Sequence, residues 1–309
     1  MSNPLLSRRE ILGAAAARAA FALASNPRVA RSEDTANKKL QLKKAVKIGM
    51  VSGELKDLSL ADKFKAVKKI GFDGIELNAP DNLTVEEVRA AIDASGLPVH
   101  GVVDSVHWND TLTDADPAVR EKGLVALKQA IRDAKDYGAT SVLLVPGLVN
   151  EKTSYGDAYK RSQEEIRKAV KLAEELDIKI LLENVWNNFL ISPLETARFI
   201  DELESSHVGS YFDVGNVVRY GWPAHWVAAL GSRIGKLDIK EFSRTIMNDE
   251  GLRKGFGVEI GEGDCDWPEV RAELKKIGYL DGWATAEVPG GGEERLADIL
   301  RRMRDVLDG

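Results

Sequence analysis

Short apolar runs rich in β-branched residues recur along the chain, at 46–51, 74–77, 99–103, 141–145, 178–182, 209–212, 234–239 and 283–288. Between them the apolar residues fall three or four apart, as in Phe64, Val67 and Ile70 or Ile166, Val170, Ala173 and Leu176, which is the spacing of a helix with one buried face. Polar residues that start helices precede several of these segments: Ser59-x-x-Asp62, Thr84-x-x-Glu87, Ser192-x-x-Glu195, Asp266-x-x-Glu269 and Asp116-Pro117. Parallel strands need helical crossovers, so eight such strand–helix units predict an α/β fold closed as a (β/α)8 barrel. The phrase K-K-I-G-F-D-G at 68–74 returns as K-K-I-G-Y-L-D-G at 275–282, each time ending a helix at Gly and entering a strand. An open doubly wound sheet is the alternative, but no Gly-rich phosphate-binding fingerprint follows the first run.

The pattern begins only near residue 45. Before it, residues 1–24 form a polar basic start, an Ala-rich apolar stretch and a small-residue Ala22-Leu23-Ala24 cleavage site, the plan of an export signal. Ser7-Arg8-Arg9-Glu10-Ile11-Leu12 is close to the twin-arginine consensus, with Ile where Phe is commonest, and predicts delivery of an already folded protein to the periplasm. The competing reading is an amphipathic helix carrying an incidental Arg pair, supported by Arg18 inside the apolar stretch. Residues 25–44 are polar and read as a linker, leaving 45–309 as a single barrel domain. No other segment approaches the roughly 20-residue apolar run of a membrane span.

Composition narrows the chemistry. The 309 residues are 44% hydrophobic and 30% charged, enough for a full core. The formal charge of −6 is spread without long runs of one sign, which argues against nucleic acid as a partner. One cysteine, Cys265, excludes an internal disulfide and a multi-cysteine metal site, and no base beside it would activate the thiol. A metal would have to sit on oxygen or imidazole.

In such barrels the chemistry sits where the strands end at their C-terminal side. The polar residues closing the runs are Glu76, His107 with Trp108, Glu183, Asp213, Asp238 and Glu287. Strands five to eight each supply one acid, and four acids in one mouth repel unless a cation holds them. The oxygen donor set of Glu183, Asp213, Asp238 and Glu287 therefore predicts one divalent metal ion, Mn²⁺ or Mg²⁺ by hardness, with Zn²⁺ and Co²⁺ as alternatives. Each acid taken alone reads more readily as a helix cap or surface ion pair than as a ligand; four on consecutive strands, in text such as L-L-E-N and A-T-A-E, reverse that balance. His100 reads as a core residue inside strand three. The Gly-rich loop at 255–267 reads either as a lid or as a static connector.

Seven motifs, G-F-D-G-I-E-L (71–77), D-P-A-V-R (116–120), L-L-E-N (181–184), F-D-V-G-N (212–216), K-L-D-I-K-E (236–241), G-E-G-D-C-D-W (261–267) and G-Y-L-D-G-W-A-T-A-E (278–287), resemble the sugar isomerase/epimerase family with a xylose isomerase-like TIM barrel. That family includes ketose 3-epimerases and hydroxypyruvate isomerases. The resemblance implies that Glu183, Asp213, position 238 and Glu287 bind the ion, that Glu183 and Glu287 are the catalytic acid–base pair, and that Arg244 contacts substrate hydroxyls. It departs at Lys236 and Asp238, where the family carries two His, and at Asn216, where epimerases often have a substrate-binding His. Substrate contacts are expected from His107, Trp108, Asn184, Asn216, Lys240, Arg244 and Glu76. Lys240, Lys236 and Arg244 are the nearest candidates to offset the acid charge, with a protonated carboxyl as another solution.

The resulting expectation is proton abstraction beside a carbonyl, through an enediolate, on a free sugar or glycoside, since the export signal disfavours sugar phosphates. β-Elimination from a 3-keto-glycoside is the runner-up. A non-catalytic sugar-binding barrel and an abasic-site endonuclease are the readings from other classes; four His and a negative charge oppose the latter. Related barrels often pair, so a homodimer is expected.

Overall fold

The computed structural model describes residues 39–308; the predicted signal peptide and the linker up to residue 38 lie outside the described residues. Eight parallel strands close a barrel in sequence order: β1 Lys43–Lys47, β2 Gly74–Ala79, β3 Val99–Asp104, β4 Ser141–Leu144, β5 Lys179–Glu183, β6 Val208–Asp213, β7 Ile234–Ile239 and β8 Trp283–Ala286, with β8 paired to β1. The main helices outside them are α1 Leu60–Ile70, α2 Val85–Ser95, α3 Pro117–Tyr137, α4 Tyr155–Leu176, α5 Pro193–Asp201, α6 Pro223–Leu230, α7 Arg244–Glu250, α8 Trp267–Ile277 and α9 Glu293–Leu307. None is long and apolar enough to cross a membrane.

The start signals act in different ways. Ser59, Thr84 and Asp116 each accept a first-turn amide, and Thr84 with Glu87 closes a capping box. Ser192 and Asp266 make no such bond, and Asp266 takes a left-handed φ of 55° instead. The barrel begins earlier than expected. Leu40 and Leu42, inside the predicted linker, are buried, and Gln41 and Lys43 donate backbone hydrogen bonds to Leu280 and Gly282.

Strand alternation sorts the core into two layers. Val142, Leu144, Ile180, Leu182, Phe212, Leu237 and Ile239 face outward into the layer shared with the helices. Leu143, Leu181 and Tyr211 face inward and fill the barrel interior. Two residues beyond an inward residue, the chain points inward again, now at the mouth. Glu183 follows Leu181 and Asp213 follows Tyr211 in this way, and Glu287 follows the buried Thr285. Asp213 pairs in register with Asp238, and Asp238 with Thr285, so these two aspartates share one level and Glu287 stands two residues further along its strand.

Candidate active site

The inward residues of β5 to β8 bring Glu183, Asp213, Asp238 and Glu287 together. Each offers a carboxylate oxygen, and these oxygens lie within 4.8 Å of one another. Asp213 and Asp238 are fully buried and form the floor; Glu183 and Glu287 line a cavity of about 900 Å³ above it. That size is at the upper end of small-molecule pockets.

Two ammonium groups are threaded between the acids. Lys240 Nζ lies 2.9 Å from Asp213 Oδ2 and 3.0 Å from Glu287 Oε2. Lys47 Nζ, from the end of β1, lies 2.9 Å from Asp238 Oδ2 and 3.4 Å from Glu287 Oε2. Burial opposes the charge of both lysines, yet the surrounding carboxylates hold their pKa values far up. For Glu287 burial is outweighed by these two cations, and its pKa falls to about 2. The Glu183 carboxylate accepts no hydrogen bond among the described residues; burial, with the charge of Glu287 behind it, raises its pKa to about 8. Burial likewise pushes Asp213 up and Asp238 well up. The cluster thus splits: two lysines hold Glu287 ionised, whereas burial resists ionisation of the other three acids, which a further cation would favour.

The donor set fits a hard divalent ion. All four groups offer oxygen, Asp238 Oδ1 is buried with no hydrogen-bond partner among the described residues, and four carboxylates, when ionised, against two lysines leave two negative charges to balance. Asp213 is fixed from two sides. Its backbone N–H donates to Asn184 Oδ1 at 2.9 Å while Asn184 Nδ2 donates to its carbonyl at 2.8 Å. Asn216 donates its backbone N–H to Asp213 Oδ1 and its side-chain amide to Oδ2. Gly215 lets the Lys240 backbone approach, since a Cβ there would meet Lys240 backbone carbon at 2.9 Å.

The other expected substrate contacts separate into two groups. His107, Trp108, Asn216 and Lys240 line the cavity, Trp108 with about half its surface exposed. Asn184, Glu76 and Arg244 do not. Asn184 is consumed by Asp213. Glu76 lies below the floor, accepting from Tyr211 OH at 3.0 Å. Arg244 turns outward, donating to the carbonyls of Val218 and Gly221 and lying over Trp222. Lys236 also lies below the floor, against His100 Nδ1 at 3.1 Å and the His100 carbonyl at 2.5 Å. His100 is the satisfied core residue the sequence suggests, its Nε2 against Thr285 Oγ1 at 3.2 Å.

Residues absent from the sequence reading complete the walls. Lys47 is the most consequential. Asn78, Asp104, Arg253 and Phe256 line the cavity as well, beside Trp186, which the sequence already offers for substrate recognition just after the strand-five acid; burial lifts the Asp104 carboxyl to about 7. Glu241, fully buried, accepts from Gly261 N at 2.8 Å, Cys265 N at 3.2 Å and Trp267 Nε1 at 2.7 Å. These bonds pin residues 261–267 of the Gly-rich segment beside the end of β7. Cys265 is buried behind Glu241, its thiol pushed well up by burial.

A closed eight-strand barrel with an acid cluster on strands five to eight defines a class, and the comparisons agree with it. The model of the xylose isomerase-like TIM barrel family matches residues 64–306, and the chain belongs to that family. Among curated proteins, it is 29% identical over 186 residues to the uncharacterized protein MJ1311 of Methanocaldococcus jannaschii, covering 57% of this chain and 61% of that protein. It is 23% identical to the L-ribulose-5-phosphate 3-epimerase UlaE of Escherichia coli K12, covering 78% and 88% of the two chains. Among solved structures, the apo 3-keto-D-glucoside 4-epimerase YcjR of E. coli superposes with a TM-score of 0.70 at 17% identity, covering 86% of this chain and 99% of that one. D-psicose 3-epimerase in the presence of D-fructose gives 0.69 at 16%, covering 87% and 100%.

Proposed function

We propose that this chain is a divalent-metal-dependent sugar isomerase or epimerase that moves a proton beside a carbonyl of a non-phosphorylated sugar. The observation that carries the reading is the division of the acid cluster. Glu183 and Glu287, three strands apart, reach the cavity wall, while Asp213 and Asp238 stay beneath the floor. Two acids on different sides of a bound sugar can remove a proton from one face and return one to the other.

Glu183, Asp213, Asp238 and Glu287 would hold the ion, which when bound supplies Lewis acidity toward the substrate carbonyl. Glu287, kept ionised by Lys47 and Lys240, takes the proton, and Glu183 delivers one from the opposing wall. Asn184 and Asn216 fix Asp213, and the two lysines keep the acids from repelling one another apart. Trp108, Trp186 and Phe256 offer flat apolar faces to the sugar's C–H surface. Delivery to the periplasm by the twin-arginine segment at residues 7–12 belongs to the same proposal; it favours free sugars and glycosides, and a reporter fusion in which Arg8 and Arg9 become Lys should stay inside the cell.

A second reading, β-elimination from a keto-glycoside, is favoured by cavity size. About 900 Å³ with an outer wall of Met50, Val103, Trp108, Val288 and Pro289 has room for a group beyond one sugar ring. One experiment addresses both. Metal-loaded protein is incubated in D₂O with free and 3-keto sugars and their glycosides. Deuterium should enter at the carbon beside the carbonyl and fail to enter with Glu183→Gln or Glu287→Gln; product analysis then separates epimer, isomer and elimination product. No deuterium from any of these sugars would refute the proposal.

A further inference from the structure

His107 follows β3 and lines the cavity with only 8% of its surface exposed. The backbone N–H of Val145, the residue after β4, points at its Nδ1 at 3.3 Å. A backbone amide can only donate, so Nδ1 must present its lone pair and the ring proton must sit on Nε2. Protonating the ring would set two N–H groups against each other. Burial acts in the same sense, with the Lys47 charge second, and takes the ring's pKa down to about 4. Nε2 has no protein partner among the described residues, while the ring feels both Lys47 and Glu287, which places it beside the acid cluster.

The charge balance gives that N–H a task. With a divalent ion bound and Glu183 holding the proton it delivers, three ionised carboxylates, two lysines and the ion sum to +1, and this charge is spread over the cluster. A fixed neutral donor on the cavity wall gives the negative charge that develops on substrate when Glu287 takes its proton a partner at one oxygen, without inviting ion pairing in the resting state. We propose that His107, as the Nε2–H tautomer, donates a hydrogen bond to the substrate oxygen that becomes negatively charged in the enolising step. This rests on the enolising reading above. His107 is a donor throughout and transfers no proton, because a neutral imidazole is too weak an acid.

Two measurements test it separately. Long-range ¹H–¹⁵N NMR of the Mg²⁺-loaded protein, read on four histidines, should show His107 as the Nε2–H tautomer, unchanged between pH 5.5 and 8, with its Nε2–H proton moving downfield when an enediolate mimic, erythronohydroxamate, is added. An Nδ1–H tautomer, or no shift at saturating hydroxamate, would overturn the proposal. In D₂O exchange, His107→Leu should lower kcat about 100-fold with KM nearly unchanged, and His107→Gln, whose amide N–H reaches the Nε2 position, should recover part of the loss. Exchange at the wild-type rate in His107→Leu, with Glu287→Gln inactive, sinks the role of His107 and spares the enolising reading. Absence of exchange in the wild type sinks that reading, and the NMR result still decides whether His107 holds its donor toward a bound oxyanion.

Discussion

Two acid–lysine groups share the inside of this barrel, one above the other. In the lower one, Glu76, Tyr211, Thr285, His100 and Lys236 form a continuous chain of contacts of 3.2 Å or less, sealed from solvent and stacked on Trp283. In the upper one, Lys47 and Lys240 balance only part of the charge on Glu183, Asp213, Asp238 and Glu287, and the group opens into a cavity. Burial lowers Lys236 to about 7 in the first, whereas Lys47 and Lys240 stay firmly charged in the second. The difference separates structure from chemistry. A chain sealed from solvent fixes the interior even with Glu76 Oε2 left without a partner among the described residues, while a group that opens into a cavity with charge left over is ready to take a ligand.

Variants can break that distinction. Glu287→Gln should cut deuterium exchange by about 10³-fold while leaving the circular dichroism spectrum unchanged. Lys47→Met leaves Asp238 without its cation and Glu287 with Lys240 alone. It should cost about 3 kcal/mol in urea denaturation of the metal-free protein, and added Mn²⁺ should recover part of this. Stability of the metal-free protein should also depend on pH. Glu183 titrates near its ordinary 4.5 when unfolded and near 8 when folded, so the folded state binds the extra proton between those values. Stability should therefore fall as pH rises through that window, by at most about 1.4 kcal/mol per pH unit. The smallest effect is expected below the floor. Glu76→Gln keeps an acceptor for Tyr211 OH and should cost about 1 kcal/mol, with metal affinity unchanged by calorimetry. A large loss of affinity there would merge the two groups into one.

How far the sequence reached depends on where each apolar run was judged to stop. Eight runs and their crossovers suffice for the barrel, and acids that close runs five to eight are legible because strand alternation turns them inward. Lys47 escapes because the first run reads as 46–51, which puts this residue at its start; the strand ends at Lys47, and the following Ile48–Met50 form a helical turn. Glu76 misleads for the mirror reason. β2 continues to Ala79, so Glu76 sits lower than a run ending at 77 suggests, and Asn78, two residues on, reaches the cavity. β3 likewise extends one residue further, to Asp104. Arg244 follows a matching motif, but its direction is set by carbonyls of the β6–α6 loop, which no local pattern encodes.

The buried Glu241 has a kinetic corollary. By accepting from Gly261, Cys265 and Trp267 it pins the stretch 261–267, while Arg253 and Phe256, which line the cavity, lie before the pinned residues. Any closure that accompanies substrate entry would therefore fall on 252–260, with the pinned stretch as its fixed end.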